Sequence, residues 1–220
     1  MTMEKLIRFA ALAFFSIAPM AVATAQDSAD YHVTVTLNWT EAAFPVGFPE
    51  DPHFSRFIGM THNERFTLFA DGQTASTGLG LVATNGRVSI LKAELGEMTR
   101  RKRIGSVVEA DALKAGAGVV QMTATLTSAH NRFSFATMVA PSPDWITGAS
   151  GIVLNPDGPW LESLTLPLWV WDAGVDGGQT FTSPDDPLPV KESVRLAATP
   201  YFLHPAGLLP IGTVVFVRVR

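Results

Sequence analysis

From Tyr31 to Trp39 the chain sets Tyr31, Val33, Val35, Leu37 and Trp39 on one side of a two-residue period, with His32, Thr34, Thr36 and Asn38 on the other. Only a β-strand buries one face and wets the other with that period, because a helix would scatter the same residues around its axis. The alternation returns in Val120–Leu126 and in Phe133–Val139, and the short Ser128–Asn131 segment between them predicts an antiparallel hairpin. Apolar runs at Trp145–Leu154, Leu164–Trp171 and Ile211–Val219 have strand length and are bounded by Gly, Pro, Asn and Asp, so each is a further strand candidate. One stretch departs from this pattern. Leu79, Val82 and Ala83, then Ile90, Leu91 and Leu95, recur at helical spacing around Asn85-Gly86 and predict two short helices. Many strands and few helices favour an all-β antiparallel sandwich over a doubly wound sheet, which needs a helix between most strand pairs. The 18 Gly and 15 Pro supply the turns that such a fold requires.

The first 25 residues have another character. Lys5 and Arg8 precede an apolar stretch from Phe9 to Val22, and Ala23-Thr24-Ala25 ends it with small residues. That is the pattern of a secretory signal peptide over 1–25. A membrane anchor is the competing reading, but the apolar stretch is short for a span of roughly 20 residues and contains Pro19. Residues 26–220 then form one domain, with no second hydrophobic span and no low-complexity linker to divide them. Loss of Lys5, Arg8 and Glu4 takes the net charge from −4 to −5. A nucleic-acid partner is therefore not expected, since phosphate binding relies on clustered Lys and Arg. An exported chain with no cysteine has no disulfides, so a hydrophobic core, with or without a bound metal, must hold it together.

The densest polar constellation follows a tryptophan-rich strand, Trp169-Val-Trp-Asp172, in a loop that carries Asp172 and Asp176 among Gly174, Gly177 and Gly178. The glycines let the backbone turn so that both carboxylates can face one point. A second acidic loop, Pro141-Ser-Pro-Asp-Trp145, holds Asp144 between two prolines and a tryptophan. Crowded carboxylates repel one another unless a cation offsets their charge, and hard oxygen ligands select calcium or magnesium over zinc or copper. Calcium suits an irregular loop better than magnesium does. The loop is not an EF-hand, since Gly174 and Ser183 stand at the third and twelfth positions from Asp172. Solvated turn aspartates explain the spacing equally well.

Pro141-Ser-Pro-Asp-Trp145, Trp171-Asp-Ala-Gly-Val-Asp-Gly-Gly178 and Phe181-Thr-Ser-Pro184 together resemble the hallmark segments of the spondin N-terminal (F-spondin/mindin-type) domain of extracellular-matrix proteins. His53-Phe-Ser55 and Ile58-Gly-Met-Thr-His-Asn63 are similar to its early signature, and the matches run in family order from about Tyr31 to about Ala198. The resemblance implies an antiparallel β-sandwich of eight strands with a calcium ion in loops at one end, and a role in adhesion and in recognition of matrix or microbial glycans. Carried over by position, the metal-binding aspartates are Asp144, Asp172 and Asp176. The expectation is thus a secreted or periplasmic calcium-binding recognition module whose partner is a glycan or an extracellular protein. The rival is a purely structural exported protein in which the ion only stabilises the fold.

The remaining candidates read as structural. His53 and His62 fit no standard metal-ligand spacing and are expected to be packed and hydrogen-bonded. Gly78-Leu-Gly80 imitates a dinucleotide fingerprint without the buried strand that should precede it. Arg100-Arg-Lys-Arg103 reads as a solvated helix end, although such a run could meet anionic glycans. There is no G-x-S-x-G elbow, no H-E-x-x-H and no cysteine nucleophile, and nothing sets Glu162 and Asp157 at a catalytic separation. The chain reads as a binder and not as an enzyme; a hydrolase is the least favoured alternative.

Overall fold

The alternating segment Ser28–Asn38 forms strand β1, with Ala29, Tyr31, Val33, Val35 and Leu37 all buried. The computed structural model describes residues 27–205 and 207–219, so the segment read as a signal peptide lies outside the described residues. Seven further main strands follow: β2 (Phe57–His62), β3 (Ile104–Ala110), β4 (Ala117–Thr127), β5 (Arg132–Ala140), β6 (Trp145–Val153), β7 (Ser163–Asp172) and β8 (Gly212–Arg218). Hydrogen bonding orders them β3-β2-β5-β6-β7-β8-β1-β4, with every neighbouring pair antiparallel. The sheet folds over on itself until its edge strands β3 and β4 lie side by side, which makes a sandwich that is nearly closed. The expected all-β class and eight-stranded antiparallel architecture are what the chain adopts.

The hairpin expected at Ser128–Asn131 is not formed. The turn exists, with the Thr127 carbonyl accepting from the His130 amide at 2.9 Å, but β4 pairs with β1 while β5 lies between β2 and β6. Burial explains the separation. β4 buries alternate residues and suits an edge wetted on one face, whereas Phe133–Ala140 of β5 is buried throughout and needs cover on both faces. The chain therefore crosses from one layer to the other at this turn.

Two cores result. Inside the sandwich, Tyr31, Val33, Val35, Met122, Leu168, Val214 and Phe216 face Phe57, Phe133, Phe135 and Trp145, and the Phe133 and Phe216 rings meet edge-on at 5.7 Å. A second core lies on the outer face, where two helices cover Ile58, Met60, Ala136 and Ile146. These are α1 (Thr77–Asn85) and α2 (Ser89–Arg100), as the spacing predicts. The Ser76 hydroxyl caps α1 by accepting from the Leu79 amide at 3.1 Å, and Gly86 ends it at φ +67°. Gly78 serves close packing: a Cβ there would lie 2.5 Å from Leu91 Cα of α2. Glu94 of α2 locks the pair by accepting from the Gly78 amide at 2.8 Å and from the Ser76 hydroxyl at 2.6 Å. The Gly78-Leu-Gly80 sequence is thus a helix-packing device. Among the described residues no helix is long and apolar enough to cross a membrane.

Candidate metal centre

The start of β6 is paired with the end of β7, Trp145 opposite Asp172, so Asp144 and Asp172 flank one end of the sandwich. The loop after Asp172 turns back at Gly174, whose φ of +68° and 2.6 Å separation between a built Cβ and the Glu192 carbonyl oxygen leave no room for a side chain. That reversal aims two successive amides at one carboxylate. Val175 and Asp176 donate to Asp144 Oδ2 at 2.6 and 3.0 Å, and the Asp144 carbonyl accepts from the Ala173 amide at 3.1 Å.

The other two aspartates organise the same loop. Asp172 Oδ1 accepts from the Gly174 amide at 2.8 Å, and its Oδ2 meets the Arg195 guanidinium at 3.1 Å. Asp176 Oδ1 accepts from the Gly178 amide at 2.8 Å and Oδ2 from the Asp186 amide at 2.9 Å. Exposure falls from 16% for the Asp172 side chain to 8% for Asp176 and 1% for Asp144. The sequence therefore brings all three to one loop system, and the deepest of them lies in the proline-flanked segment.

Burial pushes the Asp144 carboxyl up from 3.8 to about 6. The Val175 and Asp176 amides oppose that rise, while the neighbouring charges of Asp172 and Asp176 add to it. Arg195 answers part of this negative field and is itself held more firmly protonated by Glu192 and Asp172.

Do these groups fit a hard cation? The donor chemistry does: Asp144 Oδ1 accepts no hydrogen bond from a described residue, and an oxygen that takes one N–H keeps a second lone pair. The accumulated charge does as well, since Asp144 is perturbed by both neighbours. The side chains do not, however, form a finished cage. Among the described residues, no three His, Asp or Glu side chains are grouped closely enough to enclose an ion by themselves.

The aromatic floor beneath the loops is explicit. Trp145 is 2% exposed and its ring lies 5.1 Å from Phe181, 5.4 Å from Phe202 and 5.8 Å from Tyr201, so it packs under the acidic loops. Trp171 points to the other face and meets Phe69 at 5.6 Å. Arg195 and the Asp186 amide were not anticipated. The Pro184-Asp-Asp-Pro187 turn is a visible signal for the second, whereas Arg195 has no local signal.

The other sequence candidates have structural employment. His62 is fully buried, with Nε2 2.7 Å from Ser134 Oγ and Nδ1 2.8 Å from the Asn63 carbonyl, and burial pushes its imidazole down. His53 Nδ1 lies 2.8 Å from the Asp51 carbonyl. Arg100 and Arg101, at the end of α2, pair with Glu97. Glu162 pairs with Arg218 and not with Asp157.

A family model described as Spondin_N matches residues 29–207. The chain is 30% identical to spondin-2 of Rattus norvegicus and 29% identical to spondin-2 of Homo sapiens, each alignment covering 91% of this chain and 64% of the relative. It is 31% identical to spondin-1 of Gallus gallus over 76% of this chain and 22% of that protein. The chain thus spans less than two thirds of the length of these relatives.

Proposed function

The chain belongs to the Spondin_N family, and from that premise we propose that it is an exported recognition module in which Asp144, Asp172 and Asp176 hold a calcium ion. The observation that supports this most is the Asp144 carboxylate, kept at 1% exposure beside two further acids and driven up to about 6. A fold keeps a carboxylate in so unfavourable a setting when the charge is used, and perturbed acids mark functional sites for that reason. Calcium would supply positive charge beyond the share that Arg195 contributes to this acidic loop system and would fix the 141–145 and 172–178 segments against each other. Ordered in that way, the loop end is a surface for a glycan or an extracellular protein.

The reading is of binding and not of turnover. A raised carboxyl in a cleft would suit a hydrolase, but Asp144 directs one oxygen at loop amides and is closed off from a substrate. An ion enclosed by its ligands needs no such access. A second reading, calcium as a fold stabiliser alone, draws support from the aromatic floor of Trp145, Phe181 and Phe202, which the same loops cover.

An array of glycans and extracellular-matrix proteins, probed with the protein in calcium and in chelator, separates the two. Retention that requires calcium and is lost in an Asp172→Asn, Asp176→Asn variant is expected for a recognition site. Retention unchanged by chelator and by the variant would leave the ion, if bound, a structural part only.

A further inference from the structure

Strands β6 and β7 stay paired from Trp145↔Asp172 to Gly148↔Trp169 and then part, β6 continuing on β5 while the first half of β7 runs along β8. In the fork lies a cavity of about 420 Å³ that is lined by Phe69, Asp71, Ser150, Pro167, Trp169 and Trp171 among others. Trp169 and Trp171 are two apart on one strand, so their side chains leave the same face of the sheet. Their indole N–H groups have no partner among the described residues, and neither is sealed from solvent. Asp71 is exposed and its carboxylate makes no hydrogen bond or ion pair with the described residues. The Ser150 hydroxyl accepts from the Phe69 amide at 3.3 Å and keeps its own proton to donate.

Together these observations put flat apolar surface, three uncommitted donors and one uncommitted acceptor pair around a space the size of a small ligand. We infer that this fork is a saccharide subsite, in which C–H faces of a sugar ring lie against the two indoles and its hydroxyls bond to Asp71, Ser150 and the indole N–H groups. The charge specifies the class. No Lys, Arg or His lines the cavity and its one ionisable group is a carboxylate, so it takes neutral or amino sugars and rejects sulfated or uronic ones. The subsite is on the outer face of the sheet and uses none of the three loop aspartates, so it stands or falls independently of the calcium reading.

The test is a titration of the whole chain with chito-, cello- and malto-oligosaccharides at millimolar concentration, followed by the NMR signals of the indole N–H groups, in calcium and in chelator. Saturable shifts of Trp169 and Trp171, with buried Trp145 unmoved, are expected from at least one series and persist in chelator. Asp71→Asn, an exposed change that does not threaten folding, is expected to weaken that affinity by about tenfold, and Trp169→Ala by more. Absence of a saturable shift with all three series would overturn the inference. So would saccharide binding that both variants leave intact, or an extended peptide displacing the sugar as the tighter ligand.

Discussion

Replacing Asp144 by Asn is expected to stabilise the metal-free protein at neutral pH. A carboxyl pushed from 3.8 to about 6 is one whose ionised form the fold disfavours. At about 1.4 kcal/mol per pH unit this amounts to about 3 kcal/mol, as an upper bound. The sign runs opposite to that of an ordinary ion-paired aspartate. Between pH 3.8 and about 6 the folded protein holds a proton that the unfolded chain has released, so stability falls as pH rises through that window. Above it the whole penalty applies, and below it none does. Asparagine keeps an oxygen for the Val175 and Asp176 amides and never carries the charge. In chelator at pH 7.5 the variant should therefore melt higher than the parent, by at most roughly 12 °C at 2–4 °C per kcal/mol for a chain of this size. The difference should shrink to well under about 1 kcal/mol near pH 4 and vanish below it. Melts or denaturant curves at several pH values, taken as the difference between the two proteins, cancel the titration of all other acids. Parallel pH curves, or a variant less stable at pH 7.5, would refute the reasoning.

Three structural predictions accompany it. Trp145→Ala empties the floor under the acidic loops, and a buried Trp truncation costs about 3–5 kcal/mol, read as a fall in the denaturant midpoint at unchanged slope. Gly174→Ala forces a side chain onto the Glu192 carbonyl at a positive φ and is expected to cost more than about 1 kcal/mol, with faster hydrogen exchange at the Val175 and Asp176 amides. Ser76→Ala removes the cap of α1 and the hydroxyl that donates to Glu94, and should lower stability by about 1 kcal/mol in the same denaturant assay.

What could be read in the sequence, and what could not, follows from which faces a strand exposes. β1 and β4 alternate because each has one wet face, and the two-residue period found both. β2 was invisible to that test: Phe57–His62 is buried throughout between the sandwich core and the helices, so even Thr61 and His62 face no solvent. β3 failed for the opposite reason, being an edge strand with only Ile104 fully buried. The missing hairpin shows that a turn fixes proximity but not pairing, which depends on which strand can cover the wholly buried β5. In the candidate site, the three aspartates and their loop glycines stood out by residue type and by family resemblance. The near-complete burial of Asp144 did not, because the amides that enclose it come from residues about thirty positions away.

The most direct test of calcium binding at Asp144, Asp172 and Asp176 is a thermal melt of the protein, stripped with chelator and then measured with and without calcium, beside the Asp172→Asn, Asp176→Asn variant. An ion bound by the folded state alone at about a hundred times its Kd adds about 2.7 kcal/mol. That corresponds to a rise in Tm of roughly 5–10 °C. The rise should be present in the parent and absent in the variant. Equal melting with and without calcium in the stripped parent, or an equal rise in both proteins, would contradict a calcium site at these aspartates.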